Sequence, residues 1–449
     1  MAFGIVLLRE HPHWQAPASF SEGLTKSLAT QIGEQALLVR VADSKADSGK
    51  PQELGQQAFV TDWTADDQLR EKLVQQLPRW QERFKAIVLR PVGPVAASVM
   101  ARIEGLTTEQ GDLLGPGDPF PEDDDKVRRF VVGSGERPVL PILNGSQQLL
   151  FDAAESEINY ERGEPVTSRF RHTVDSIARH VLNVQIGLAC GGGVAWGLAH
   201  IGVFSALEKG GLPIDMVTGT SSGALIGSMR CCGHSMDQIR EHVVKMTSNR
   251  LRLFEWRIWK LHMIRESTVR KQFERAYGDV HVNQMEIPFW ANALDVEKGE
   301  EVNIADGPLS AAVRASICLP GLFPPLVHRD ALLIDASLMD AVPIKQVREM
   351  GCRFSIAINV MQYAKGQALS RKYPRNLFPI LYRALQACGH EITASRCERL
   401  ADAIIKPAAG TIPMLGFRHI DRLVQAGERA AQEQLPQILA AYNRLKAEC

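Results

Sequence analysis

The sequence predicts an α/β protein with a largely parallel sheet, and three observations carry that expectation. At 449 residues the chain exceeds one average domain, so two or three are expected. Its first part alternates β-like runs with a helical one, the rhythm of βαβ units. Further on, the stretch Ile186–Leu207, uncharged apart from His200, passes from a strand-like run through three consecutive glycines into an apolar helix.

Taken in order, Phe3–Arg9 and Ala36–Val41 read as strands, Asp66–Phe84 as a helix, and Lys85–Pro91, Arg129–Gly133 and Val139–Leu143 as further strands. This region has no G-x-G-x-x-G and no P-loop lysine pattern, so nothing in it supports nucleotide binding. Gly111–Lys126 is rich in glycine, proline and acids and reads as an exposed loop. Its Asp123–Asp125 run lacks EF-hand spacing and is read as a solvated turn, not a cation site. Ser168–Val181 has the apolar spacing of an amphipathic helix leading into a second domain. The expected organisation is a first α/β domain over 1–160, a linker helix over 161–183 and a second domain over 184–449, with Leu423–Lys446 a surface helix near its end.

Composition narrows the function classes. Apolar residues make up 45% and charged residues 23%, the balance of a water-soluble globular core. Fifty-one basic and 51 acidic side chains cancel, which argues against a nucleic-acid partner but leaves contact with a membrane open. Cysteines at 190, 231, 232, 318, 352, 388, 397 and 449 form no C-x-x-C pair, so no metal knuckle is expected. They read as reduced, buried thiols of a cytoplasmic protein. The start, MAFGIVLLRE, lacks a basic n-region and reads as a strand, not a secretion signal. Glycines at 187, 191, 192, 193, 197 and 202 make Ile186–Leu207 a poor membrane helix, and no transmembrane segment is expected.

Three segments carry chemistry. In the first, the apolar run Ile186–Cys190 enters Gly191, Gly192 and Gly193 and then a helix. Glycines let backbone N–H groups approach a ligand, and a helix N-terminus adds positive partial charge, so the loop could bind phosphate or a developing oxyanion, or simply turn tightly. In the second, Gly219-Thr220-Ser221-Ser222-Gly223 follows a short strand, Ile214–Thr218, and precedes a helical run, Ala224–Cys232. That is the context a G-x-S-x-G nucleophile elbow requires, with Ser221 the nucleophile and Gly219 and Gly223 relieving crowding. In the third, Leu332-Leu333-Ile334 ends in Asp335, where a carboxylate can reach an elbow serine; alone, it would read as a turn or cap.

The blocks GLACGGGVAWGLAHIGVFSALEKGG, IDMVTGTSSGALIG and LIDASLMDAVPI, in this order, resemble the three signature blocks of patatin-like phospholipases. IPFWANALDVEKGE, RASICLPGLFPP and ADAIIKPAAG resemble the connecting pieces, so the likeness runs from about Val184 to Gln437. The resemblance implies a three-layer α/β/α catalytic domain, a Ser221–Asp335 dyad without histidine, and an oxyanion hole from the N–H groups of Gly191, Gly192 and Gly193. It implies a phospholipase A or lysophospholipase activity on phospholipid or lysophospholipid, with no cofactor or metal. The region before residue 184 is loosely similar to that of bacterial relatives of neuropathy target esterase, in which a Rossmann-like segment precedes the catalytic domain. His200 is read as a packing residue.

Two departures from the family pattern stand out: Trp196 where the family has a cation, and Ala336-Ser337 where it has small, glycine-led pairs. An alanine at a turn that needs positive φ would be strained. Two alternatives follow: a lipid-binding patatin-fold protein with little turnover, and an α/β-hydrolase triad completed by His390 or His419. Arg250–Arg265 (RLRLFEWRIWKLHMIR) interleaves Arg, Trp and Leu as a segment at the inner membrane face would, or as a half-buried helix or lid would.

Overall fold

The computed structural model describes residues 168–248, 266–361 and 377–448 continuously, preceded by shorter stretches between residues 4 and 148. The chain forms two compact units, Met1–Val184 with Asn443–Cys449, and Gln185–Tyr442. The expected strand at 139–143, the Asp123–Asp125 turn and the 250–265 segment lie outside the described residues.

In the first unit, β1 (Gly4–Glu10), β2 (Ala36–Ala42), β3 (Gln52–Gly55), β4 (Ala58–Thr64), β5 (Ala86–Val92), β6 (Glu109–Leu114), β7 (Arg128–Val131) and β8 (Gln147–Gln148) form one sheet. Its order is β3-β4-β2-β5-β1-β6-β7-β8. Neighbours run parallel except the hairpin-like pair β3–β4. Strand β5 lies between β1 and β2, where the Rossmann order 3-2-1-4-5-6 places nothing, so the unit is parallel α/β with a different strand order. The reason is legible in β5 itself: Ala86, Ile87, Val88 and Leu89 are all buried, and a strand apolar on both faces belongs inside a sheet. Strand β6 also takes residues 111–114 from the segment read as a loop; its Leu113-Leu114 pair precedes the first glycine–proline turn signal.

Helices α1 (Ala18–Ile32) and α2 (Ser168–Val181) pack together on this sheet. Val174, Ile177 and Ala178, spaced i, i+3, i+4, join Leu24, Leu28, Leu38, Val60 and Val88 in one buried cluster. The Ser27 hydroxyl donates to Asp175 Oδ1 at 2.6 Å. The helix expected as a linker is therefore core to the first unit, because its apolar stripe has a partner there.

The second unit is built on β9 (Ile186–Cys190), β10 (Met216–Thr220), β11 (Phe289–Asp295), β12 (Glu300–Ile304), β13 (Leu326–His328), β14 (Ala331–Asp335), β15 (Phe354–Ile358) and β16 (Ala403–Ile405). The sheet runs β13-β14-β11-β10-β9-β15-β16, with β12 beside β11. Strands β11, β10, β9, β15 and β16 are parallel, and β12, β13 and β14 are antiparallel additions. Every residue of β9, β10 and β15 is buried, as strands covered on both faces require.

The helices are α3 (Ala199–Lys209), α4 (Ser222–Cys231), α5 (Met236–Ser248), α6 (Glu266–Tyr277), α7 (Leu309–Ser316), α8 (Ile344–Glu349), α9 (Leu377–Leu400) and α10 (Ile420–Glu448). Successive strand residues point to opposite faces. Met216 accordingly joins Ala189, Val347, Ala357 and Cys397 on the α8–α9 side, while Val217 meets Gly227 of α4 on the other. This is the three-layer α/β arrangement. Burial pushes the thiol pKa values of Cys352 and Cys397 up to about 12, so these cysteines act as small apolar fillers.

Register brings the chemistry together. Thr220 pairs with Asn292 across β10–β11, and Ala293 pairs with Asp335 across β11–β14. The end of β14 thus lies two strands from the end of β10, and Cys190, paired with Gly219, opens the glycine loop alongside.

Helix α10 crosses α3 where two glycines meet backbone: a Cβ on Gly202 would lie 1.9 Å from the Val424 oxygen, and one on Gly427 1.9 Å from the Ala199 oxygen. Neither neighbour is a side chain that could swing away. Gly202→Ala and Gly427→Ala are each expected to destabilise the protein by about 1–3 kcal/mol or more, measurable by denaturant unfolding.

Candidate active site

The elbow forms because β10 is buried to its last residue and α4 starts at once, leaving Ser221 to make the whole turn. Ser221 adopts φ 55, ψ −122, a conformation rare outside glycine and costing on the order of 1–3 kcal/mol. The flanking glycines are sterically obligatory. A Cβ on Gly219 would come within 2.5 Å of Ala224 Cα, and one on Gly223 within 2.1 Å of the Cys190 oxygen. The Ser221 N–H donates to the Ser316 hydroxyl at 2.9 Å, and that hydroxyl donates to the Asn292 carbonyl at 2.7 Å.

Asp335 ends β14 with no solvent exposure. Its Oδ1 accepts the Ser337 N–H at 2.8 Å. Burial raises its pKa to about 6, partly offset by the Ser221 hydroxyl and then by the Ser337 N–H and hydroxyl. The Ser221 hydroxyl is therefore close enough to act on the carboxylate. No hydrogen bond of good geometry closes between them, however, and buried Oδ2 is left without a partner. Such slack is common before substrate tightens a catalytic hydrogen bond.

The glycine loop passes against Ser221: a Cβ on Gly192 would sit 3.0 Å from Ser221 Cβ and 3.1 Å from Ser337 Cβ. Its N–H groups are largely engaged by the fold. Gly191 donates to the Ile358 carbonyl at 3.0 Å and Gly192 to the Ala341 carbonyl at 2.8 Å, whereas Gly193 donates to the Ser222 hydroxyl at 3.0 Å. Of the three N–H groups expected to face an oxyanion, those of Gly191 and Gly192 are thus bonded to backbone carbonyls, and only the Gly193 acceptor is a group that can rotate away.

His200 is more than filler. It is fully buried, with Nε2 2.7 Å from the Gly191 carbonyl, and burial lowers its pKa to about 4. The neutral ring must donate from Nε2, because a carbonyl only accepts, and Nδ1 is left buried without a partner. Together the His200 and Ala341 bonds hold both ends of the Gly191–Gly192 peptide in a segment whose glycines would otherwise let it flip.

Both departures from the family pattern find a local explanation. Trp196 donates from Nε1 to the Ile412 carbonyl at 2.8 Å, and Ala195 N–H donates to the Met414 carbonyl at 3.0 Å, which tethers the glycine loop to 412–414. Ala336 is buried in a short 3-10 turn and is not among the residues with positive φ, so the expected strain is absent. The groups that act on the Asp335 carboxyl are Ser221 and Ser337 and include no histidine, and His419 Nε2 accepts from Arg418. Among the described residues no cluster of His, Cys, Asp or Glu could hold a metal, and no helix is long and apolar enough to cross a membrane. Sequence reasoning missed Ser316; its only signal was the RASICLPG turn ahead of the aspartate.

A three-layer α/β domain with an elbow serine, an adjoining glycine loop and a buried aspartate at a strand end defines a class. Residues 188–348 match the family model for patatin-like phospholipases, and the chain carries a patatin-like phospholipase domain. Among curated proteins it is similar to Lysophospholipase NTE1 of Cryptococcus neoformans var. neoformans serotype D (strain JEC21 / ATCC MYA-565), 33% identical over 245 residues that make up 50% of this chain and 15% of the relative. Lysophospholipase NTE1 of Saccharomyces cerevisiae (strain ATCC 204508 / S288c) is 28% identical over 196 residues, 42% of this chain and 12% of the relative. The chain therefore spans only a small part of the length of these relatives. A solved structure, VipD from Legionella pneumophila, aligns over 56% of this chain and 66% of its own at 12% identity, with a TM-score of 0.34, too loose a likeness to bear on the fold.

The raised Asp335 pKa has a consequence for stability. A carboxyl whose folded pKa lies above its ordinary 3.8 binds its proton more tightly in the native state. The stability this contributes is complete below about pH 3.8 and is lost as pH rises through about 6. Asp335→Asn, neutral at every pH, is expected to melt above wild type at pH 8, by up to about 3 kcal/mol, with the gap closing by pH 4; melting temperatures across that range check it.

Proposed function

We propose that the chain is a serine lipid acyl hydrolase of the phospholipase A or lysophospholipase type, acting through a Ser221–Asp335 dyad. One observation carries the reading: the strained Ser221 lies beside a buried carboxylate whose pKa is raised to about 6 and whose Oδ2 has no partner. A base with a pKa near the working pH is both largely ionised and strong enough to take a proton.

In the proposed mechanism Ser221 Oγ attacks the ester carbonyl while Asp335 takes the hydroxyl proton. The tetrahedral oxyanion meets the Gly193 N–H, released from the Ser222 hydroxyl, together with the Ser222 N–H at the start of α4, where first-turn donors lack helical acceptors. Gly191 and Gly192 hold the loop in shape. Asp335 then protonates the leaving alcohol, and water, deprotonated by the same carboxylate, releases the fatty acid from Ser221.

The lipid substrate class is supported by the patatin-like domain and by relatives named lysophospholipases. A membrane-derived substrate makes peripheral contact of a cytoplasmic protein with a lipid surface part of this reading, resting on the sequence of 250–265.

Hydrolysis of a panel of phospholipids and lysophospholipids by wild type, Ser221→Ala and Asp335→Asn tests the proposal. Fatty-acid release is expected from wild type, with losses on the order of 10³-fold or more in both variants. A folded wild type that neither hydrolyses any lipid nor reacts with a fluorophosphonate at Ser221 would leave a lipid-binding protein instead. Since Asp335 must be ionised to act, kcat/KM is expected to fall tenfold per pH unit below about 6. An acid limb that stays put in a buffer series down to pH 5 excludes Asp335 as the base.

A further inference from the structure

The nucleophile's backbone is held by a side chain outside the dyad and the glycine loop. Ser316 closes α7 and has no solvent exposure. Its hydroxyl has one possible arrangement: the Ser221 N–H can only donate to it, at 2.9 Å, and the Asn292 carbonyl can only accept from it, at 2.7 Å. Asn292 pairs with Thr220 on the neighbouring strand, and its Nδ2 donates to Thr220 Oγ1 at 3.3 Å. The hydroxyl thus ties the elbow to β11, the strand between β10 and the aspartate's own strand.

The same segment holds the other member of the dyad. Two residues beyond Ser316, the Cys318 carbonyl accepts the Asp335 N–H at 3.0 Å. One short stretch of chain therefore bonds the backbone N–H of both Ser221 and Asp335, which are otherwise far apart in sequence. A non-glycine residue keeps positive φ only where its surroundings over-determine it. Here the Ser221 N–H is fixed by a bond from outside β10 and α4, and the spacing from that anchor to Asp335 is set by three residues, 316 to 318.

We propose that Ser316 is a positioning residue: its hydroxyl locks the Ser221 elbow and, with the Cys318 carbonyl, sets the nucleophile's distance and orientation to Asp335. This rests on the Ser–Asp reading above and adds a residue that touches neither substrate nor the reacting atoms. Removing the hydroxyl frees the elbow to relax, which misplaces Oγ by about an ångström or less while changing no exposed residue, since Ser316 is fully buried. Misplacement on that scale costs up to about 100-fold in rate.

The test compares Ser316→Ala, and the isosteric pair Ser316→Thr and Ser316→Val, with wild type and Ser221→Ala. A p-nitrophenyl ester serves for kcat and KM, a fluorophosphonate for the labelling rate, and circular dichroism and thermal melting verify folding. The expected result is a fall in kcat of about 10- to 100-fold in the alanine variant with KM within about two-fold of wild type. Labelling should slow by a similar factor, and the threonine variant should be at least about ten-fold faster than the valine variant. A folded alanine variant with wild-type kcat and labelling overturns the proposal, as do threonine and valine variants that are equally slow while equally folded. If the alanine variant does not fold, the Thr/Val ratio decides alone. Failure of the underlying dyad reading is seen separately, as wild type reacting no faster than Ser221→Ala.

Discussion

At φ 55, ψ −122 Ser221 occupies a backbone state that its own side chain disfavours, and the surrounding unit is arranged to hold it there. Gly219 and Gly223 are bare because Ala224 and the Cys190 carbonyl occupy the space a Cβ would need. Strand β10 is buried to its end, so the chain cannot relax by fraying before the turn. The N–H is captured by Ser316, and the hydroxyl lies near enough to the Asp335 carboxyl to offset part of the pKa rise that burial causes. Strain at one residue is thus balanced by packing and hydrogen bonds from β9, β11 and α7, and the catalytic reading depends on that balance.

Asp335 shows the second side of the same compromise. A fully buried carboxylate with one oxygen unpartnered lowers stability when ionised, and nothing about the fold requires an acid there. What burial supplies is basicity: at a pKa of about 6 the group is ionised at neutral pH, yet it holds a proton far better than an exposed aspartate. Ser337 moderates the effect by donating its N–H to Oδ1, which keeps the charged form accessible. His200 makes a similar trade, leaving Nδ1 buried without a partner in return for control of the Gly191 carbonyl.

The glycine loop illustrates how departures from a family pattern are absorbed. Trp196, where a cation is usual, supplies an N–H to the Ile412 carbonyl and so anchors the loop through a neutral donor. Ala336 tolerates its place because the chain after Asp335 turns in a 3-10 conformation with ordinary φ, and no glycine is needed. The engaged N–H groups of Gly191 and Gly192 assign that part of the loop to architecture, whereas the Gly193 N–H meets only a hydroxyl that can rotate.

Local pattern was enough to determine the α/β class, the strand that enters the three glycines and, two residues early as Ile214–Thr218 against the observed Met216–Thr220, the strand before Ser221, because uninterrupted apolar runs and a glycine-flanked serine between strand and helix leave few other readings. Asp335 was legible only by its order relative to the other two blocks, since a carboxylate at a strand end means little alone. Tertiary structure decided what depends on partners distant in sequence. Register across β10, β11 and β14 brought Asp335 to Ser221, the apolar stripe of Ser168–Val181 found its partner in α1, and β5 was inserted between β1 and β2. It also decided which glycine N–H groups are engaged and gave Ser316 its place beneath Ser221, since a hydrogen bond spanning 95 residues has no local signature.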